Sequence, residues 1–281
     1  MWPGQGQSLS CDEVLFNGKS EFQHLTIFEN KQGPWGTVMA LDGAIQLTDK
    51  DEFVYHEMMA HVPLFSHPNP KTVCIIGGGD GGVMREVLRH ESVESCVLCD
   101  IDGLVIEQAK VHFPEVASSF AHPKATTIVG DGAAFLRDKT EAFDVIIVDS
   151  SDPEGPASVL FGEAFYTDVK RALKPGGIVC SQGESIWLHK DLIEKMMTFL
   201  RTGSVAFPSV LYGLIHVPTY PCGSIGCLIS SKDGTPDDVL MPKREPSATT
   251  LPQLKYYDAN VHRAAFTLPR FAQNLNAPHM K

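Results

Sequence analysis

From residue 72 onward, short apolar runs alternate with stretches of amphipathic helical spacing. This alternation limits the possible folds more than any other feature of the chain. Apolar runs at 72–76, 95–99, 125–129, 144–148 and 177–181 are divided by helix candidates at 82–90, 102–112, 132–138, 162–173 and 187–202. Continuous β-rich runs divided by helices belong to strands covered on both faces, as in a parallel sheet. Two later β-type runs, 210–217 and 224–230, have only the loop 218–223 between them, which predicts an antiparallel hairpin at the sheet edge. The expectation is an α/β fold with a seven-stranded sheet.

Upstream the period changes. Short alternating runs at 12–16, 22–29, 36–41 and 44–48 are separated by Asn17-Gly18, Gly33-Pro34 and Asp42-Gly43, which predicts a small N-terminal antiparallel β domain. A helix follows over 51–63. We therefore divide the chain into an N-terminal β domain, 1–50, and a Rossmann-like domain, 51–281. The polar, proline-rich stretch 232–256 reads as a surface excursion, and no internal repeat is evident. Seven strands closing in an edge hairpin resemble the class I methyltransferase-like (Rossmann-like) architecture.

The chemistry gathers at the ends of the strands. Gly77, Gly79 and Gly82 satisfy G-x-G-x-x-G between the first apolar run and its helix, and Asp100 closes the next run about 20 residues on. That arrangement admits a nucleoside, with Asp100 on its ribose, although glycines there also serve tight strand–helix packing. Asp80 lies inside the loop, where its carboxylate competes with a pyrophosphate for the helix N-terminus. NAD and FAD are disfavoured, and a donor with a purely cationic tail fits best. Asp131 and Gly132 follow the third run, suited either to an adenine amino group or to a local turn. Asp149 ends the fourth run and opens Asp149-Ser150-Ser151-Asp152-Pro153-Glu154-Gly155-Pro156. Four strand ends thus deliver carboxylates to one rim, which costs stability unless a cation arrives.

Charge and targeting narrow the partners. The 281 residues carry a formal net charge of −11 without a lysine- or arginine-rich run, so no nucleic acid is expected. No apolar run reaches the ~20 residues of a membrane helix, and the N-terminus lacks a signal peptide pattern. Seven cysteines, six of them in apolar, strand-like contexts, predict reduced buried thiols and a cytoplasmic location. His56 and His61 are five residues apart, about 140° around a helix, and cannot share a metal. Cys96 and Cys99 face opposite sides of a strand. No metal site is expected.

The sequence closely resembles the spermidine synthases, the polyamine aminopropyltransferases. The matching strings are WPGQ (2–5), FQHLTIFE (22–29), LDGAIQLTDKDEFVYHEM (41–58), IIGGGDGGVMREVLRH (75–90), CDID (99–102), GDG (130–132), DSSDPEGPA (149–157), PTYPCGSIG (218–226) and LKYYDANVHRAAFTLP (254–269). The resemblance implies transfer of an aminopropyl group from decarboxylated S-adenosylmethionine, a co-substrate rather than a cofactor, to putrescine. It implies donor contacts by Gln23, Asp80, Asp100, Asp131, Gly132 and Pro156. It implies acceptor contacts by Tyr55, His56, Asp152, Gln182, Glu184 and Tyr220, a catalytic Asp149, and a homodimer. One departure is Asp100, where many members carry Glu. Two other readings stand beside this one: a diamine N-methyltransferase using ordinary S-adenosylmethionine, and a non-catalytic subunit. A longer acceptor, as in a spermine synthase, is a variant of the first.

Overall fold

Four strands, β1 (Glu13–Lys19), β2 (His24–Asn30), β3 (Gly36–Leu41) and β4 (Ala44–Thr48), form an antiparallel meander in chain order. The structure is a computed structural model that describes residues 4–150 and 160–277. Asp42 and Gly43, with φ of 47° and 82°, make the tight β3–β4 turn anticipated from their types. Asn17-Gly18 is not a turn. Both residues pair within β1, opposite Thr26 and Leu25, after an irregularity between Val14 and Phe16. The reversal lies beyond them, where Ser20 Oγ accepts the backbone N–H groups of Phe22 and Gln23, each at 3.1 Å.

Helix α1 (Glu52–Ser66) runs one turn past the expected end. Pro63 sits near its C-terminus, where the missing N–H costs a single helical bond. Nearly every side chain of α1 is buried, so its charged residues need partners inside the protein. Glu57 finds three: its carboxylate accepts the backbone N–H groups of Lys255, Tyr256 and Tyr257 at 2.7–2.9 Å. His61 turns to Glu86 and His90, away from His56.

The large sheet contains β5 (Thr72–Gly77), β6 (Ser95–Asp100), β7 (Ala125–Val129), β8 (Phe143–Asp149), β9 (Leu173–Gln182), β10 (Ser209–Ile215) and β11 (Ile225–Ser231), in the order β10-β11-β9-β8-β5-β6-β7. The pairs among β5 to β9 are parallel, and β11 runs antiparallel to both β9 and β10, as the loop length required. Between strands lie α2 (Gly82–Leu88), α3 (Gly103–His112), α4 (Gly132–Arg137), α5 (Glu163–Ala172) and α6 (Lys190–Thr202). Strand β9 starts four residues earlier than its apolar run, because Leu173 pairs with Phe143 before the register shifts.

Alternation along the strands sends side chains to two cores. Val73, Ile75, Val145 and Ile147 pack with Met58, Met59 and Val83 of α1 and α2. Cys74, Ile76, Ile146 and Val148 pack with Val169, Ile193 and Met197 of α5 and α6. A third cluster joins Leu25, Ile27 and Met39 of the small sheet to Val105, Ala109 and Phe113 of α3 and its end. This contact seats the small sheet over one end of the large one. All seven cysteines are free, but five are buried, not six. Cys222 is exposed because it occupies a turn with φ of 59° between β10 and β11.

Candidate active site

A cleft of about 440 Å³ opens at the carboxyl ends of the parallel strands, beside the small sheet. Asp80, Asp100, Asp131 and Asp149 all line it. They follow β5, β6, β7 and β8, four strands adjacent in the sheet, so the anticipated carboxylate rim exists. Ligand sites beyond the carboxyl ends of such strands follow from open α/β topology.

The glycines make this convergence possible. A Cβ on Gly77, whose φ is 83°, would lie 2.0 Å from the Asp149 carbonyl oxygen, and one on Gly82 would lie 2.1 Å from the His56 ring. At Gly79 it would meet Asp100 Oδ2 at 2.9 Å. Each glycine of the motif therefore lets a site residue close in on the loop.

Asp149 is the most perturbed carboxylate of the rim. Tyr55 Oη donates to its Oδ1 at 2.7 Å. Loss of solvent, then the charge of Asp80, push its pKa up to about 7 against the lowering effects of Tyr55 and His56. Burial also lifts Asp100 to about 6, despite the Asp102 backbone N–H that its Oδ1 accepts at 2.7 Å. Asp80 Oδ1 accepts the Gly82 backbone N–H at 2.6 Å, holding the carboxylate at the start of α2.

His56, expected on the acceptor side, packs against Asp80 at the edge of the cleft rather than among its lining residues. Successive helical residues point about 100° apart, so with Tyr55 facing the cleft His56 faces α2. Its Nε2 lies 3.3 Å from Asp80 Oδ1 and its Nδ1 2.6 Å from Glu52 Oε2. Burial opposes the imidazolium, but Asp80 and Glu52 prevail and raise His56 to about 10. Glu52, pushed up by burial, is held at about 2 by His56 and Arg85.

Asp131 caps α4, its Oδ1 accepting the Ala133 and Ala134 backbone N–H groups at 2.8 and 3.2 Å. The local role weighed from sequence is thus real, and Gly132 lines the cleft beside it. Gln23 reaches the rim from the small sheet, where its Nε2 donates to Asp102 Oδ2 at 2.9 Å. At the opposite end Gln182 Nε2 donates to Glu184 Oε1 at 3.2 Å, and Glu184 Oε2 lies 2.8 Å from His189 Nδ1. Glu184 has φ of 59°, and Tyr212 Oη donates to its carbonyl at 2.7 Å. Tyr220 lies with its ring 5.7 Å from that of Tyr55 and donates to the Gln46 carbonyl at 2.7 Å. Asp152 and Pro156 lie outside the described residues.

Several contributors escaped the sequence reading. Asp51 Oδ2 accepts both the backbone N–H and the hydroxyl of Thr219, at 2.9 and 2.7 Å, pinning the loop that carries Tyr220. Asp102 caps α3 while receiving Gln23 and Ser20. An acid directly ahead of a helix was the available signal for each. Among the described residues, no group of three or more His, Cys, Asp or Glu side chains is placed to hold a metal ion. None of their helices is long and apolar enough to cross a membrane.

Comparison with known proteins gives consistent matches. Residues 52–239 match the spermine/spermidine synthase domain, and residues 1–49 the spermidine synthase tetramerisation domain. The chain is 49% identical over 271 residues to spermidine synthase of Dictyostelium discoideum, covering 96% of this chain and 93% of that one. It is 47% identical over 276 residues to spermidine synthase of Schizosaccharomyces pombe, with 98% and 91% covered. Among solved structures, a spermidine synthase in complex with the transition state analogue AdoDATO superposes with a TM-score of 0.88 at 40% identity, covering 96% and 90%. Spermidine synthase from Thermotoga maritima gives 0.86 at 40% identity, covering 96% and 89%.

Proposed function

The chain belongs to the spermine/spermidine synthase family, and on that premise we propose how its cleft carries out the reaction. The activity is spermidine synthesis: an aminopropyl group passes from decarboxylated S-adenosylmethionine to putrescine, releasing spermidine and 5'-methylthioadenosine. The curated relatives, named for spermidine synthesis, do not favour the diamine N-methyltransferase.

The donor is a sulfonium, so attack of an amine on the carbon next to sulfur breaks the C–S bond with its electron pair going to a neutral thioether. The difficulty lies in the amine, which at a pKa near ~10.4 is almost wholly protonated at neutral pH. Asp149 accepts the proton as general base, directly or through water. A carboxylate titrating at about 7 suits that task better than an ordinary one. Asp80 holds the donor's ammonium, Asp100 the ribose, and Asp131 with Gly132 the adenine. Gln23 and Pro156 complete the nucleoside contacts. Tyr55, Asp152 and Tyr220 receive the attacking end of putrescine, while Gln182 and Glu184 retain its remote ammonium. His56 serves the site by steadying Asp80. Alignment of nitrogen, carbon and sulfur supplies much of the rate.

The observation that carries these assignments is the convergence of Asp80, Asp100 and Asp149 on one cleft with Tyr55 bonded to the last. Incubation with putrescine and either donor, followed by mass spectrometry, tests them. Spermidine from the decarboxylated donor and no methylated diamine from the ordinary one is expected, and the reverse pattern would overturn the reading. Residues 1–50 and 51–281 form the two units we assign, a division supported by the end of β4 at Thr48. Assembly into an oligomer is supported by the match of residues 1–49 to a tetramerisation domain; the homodimer is our reading of its size, and light scattering tests it against a tetramer. A cytoplasmic location is consistent with seven free thiols.

A further inference from the structure

We propose that Glu52 and Arg85 are positioning residues, acting through His56 to fix the carboxylate of Asp80 and to set the proton affinity of Asp149. The inference rests on the roles proposed above for Asp80 and Asp149. Neither Glu52 nor Arg85 lines the cleft. They stand behind it in a file of alternating charge between α1 and α2. Asp80 meets His56 at 3.3 Å, His56 meets Glu52 at 2.6 Å, and Arg85 grips both Glu52 oxygens at 2.8 and 3.2 Å. The file continues to Glu86, which Arg85 Nε and Arg89 Nε each reach at 2.7 Å.

Side-chain exposure is 2% at His56, 7% at Glu52 and 15% at Arg85. Burying such a row is costly, and apolar residues of similar size would stabilise the fold at least as well. Its effect at the site is to deliver one fixed cation under two carboxylates. His56 is faced by Glu52 from its own helix and by Asp80 from the loop before α2, while Asp149 feels its charge from β8. Gly82 leaves the space that the ring occupies. Without Glu52 the imidazolium loses one of its two counter-ions, and Asp149 then binds its proton more tightly.

Glu52→Gln tests this. The acid limb of kcat/KM should move upward by about one pH unit, lowering activity roughly tenfold at a fixed pH on that limb. The KM for the decarboxylated donor should rise while that for putrescine stays unchanged. The double variant Glu52→Gln/Arg85→Met, which deletes both charges of the pair, should show the same shift. In the wild-type protein, nitrogen NMR should find His56 as an imidazolium through pH 8, a measurement that needs no variant to fold. An unmoved limb, an equal rise of both KM values, or a neutral His56 at pH 7 would overturn the proposal. A wild-type protein that makes no spermidine would instead overturn the reaction assigned to the cleft.

Discussion

Tyr55 Oη donates to Asp149 Oδ1 across 2.7 Å, joining a helix of one element to a strand end 94 residues away in the chain. The bond stabilises the ionised carboxylate in a place where loss of solvent and Asp80 both favour the neutral acid. Burial and Asp149 together hold the phenol well above its ordinary value, so Tyr55 remains a donor throughout the working pH range.

Asp149→Asn preserves shape and still accepts from Tyr55, but it has no proton affinity to offer an amine. Turnover should fall by roughly 10²–10⁴. Binding of the donor, followed by calorimetry, should change little. Near-normal turnover would remove Asp149 from the base role.

The pH profile should distinguish free from occupied cleft. In the free enzyme Asp149 titrates at about 7, so kcat/KM should rise with pH through that region. Bound sulfonium and ammonium charges favour the carboxylate and lower its pKa. The acid limb of kcat should therefore lie at lower pH than that of kcat/KM. Coincident limbs would contradict the placement of cations beside Asp149.

The same carboxylate affects stability with an unusual sign. Its folded-state pKa, about 7, is raised above the unfolded aspartate value, which is near ~3.9. The folded state holds the extra proton between those values, so stability from this group falls as pH rises from about 4 to about 7. Asp149→Asn should thus gain stability over the wild type increasingly through that window, by an amount on the order of a few kcal/mol that appears as a higher Tm, and level off above it. Calorimetric scans at pH 5, 6, 7 and 8 would show the trend, and a Tm difference that shrinks with pH would refute it.

Gly82→Ala adds a methyl group 2.1 Å from the His56 ring. The ring must withdraw, and Asp80 loses a partner. The KM for the donor should rise about tenfold or more while the protein still folds, as initial-rate kinetics and circular dichroism would reveal. An unchanged donor KM would show that Asp80 does not depend on His56.

Asp51→Ala strands the backbone N–H and hydroxyl of Thr219 in a buried setting. The cost is about 2–3 kcal/mol of stability. Because Tyr220 is the next residue, the KM for putrescine should rise with that for the donor unaffected. Urea titration and paired kinetics check both parts.

The parallel sheet, its edge hairpin and the position of the cleft were readable because burial on both faces leaves the centres of β5 and β8 apolar, at Val73–Ile76 and Val145–Val148. Asp80, Asp100, Asp131 and Asp149 followed from topology, since each lies at the end of a parallel strand or in the loop just after it. The pairing of His56 with Asp80 and Glu52 was not readable, because a motif gives order along the chain but not direction around a helix. Asn17-Gly18 misled because Gly18 sits in a strand under the Phe16 ring, and a Cβ there would come within 2.8 Å of it. Glu52 went unnoticed because Arg85 is distant in sequence and the pairing has no local period, and the place of Asp51 ahead of a helix does not reveal that its partner is Thr219.

The three amide hydrogens that Glu57 accepts come from a segment about 200 residues downstream. That carboxylate works as a buckle, fastening the tail to the very rod from which Tyr55 and His56 project. Cutting the chain before Lys255 would leave an anion sealed in the interior with its donors gone, and the rod would loosen. The helix that carries Tyr55 and His56 is thus held from behind by a segment that lines no part of the cleft.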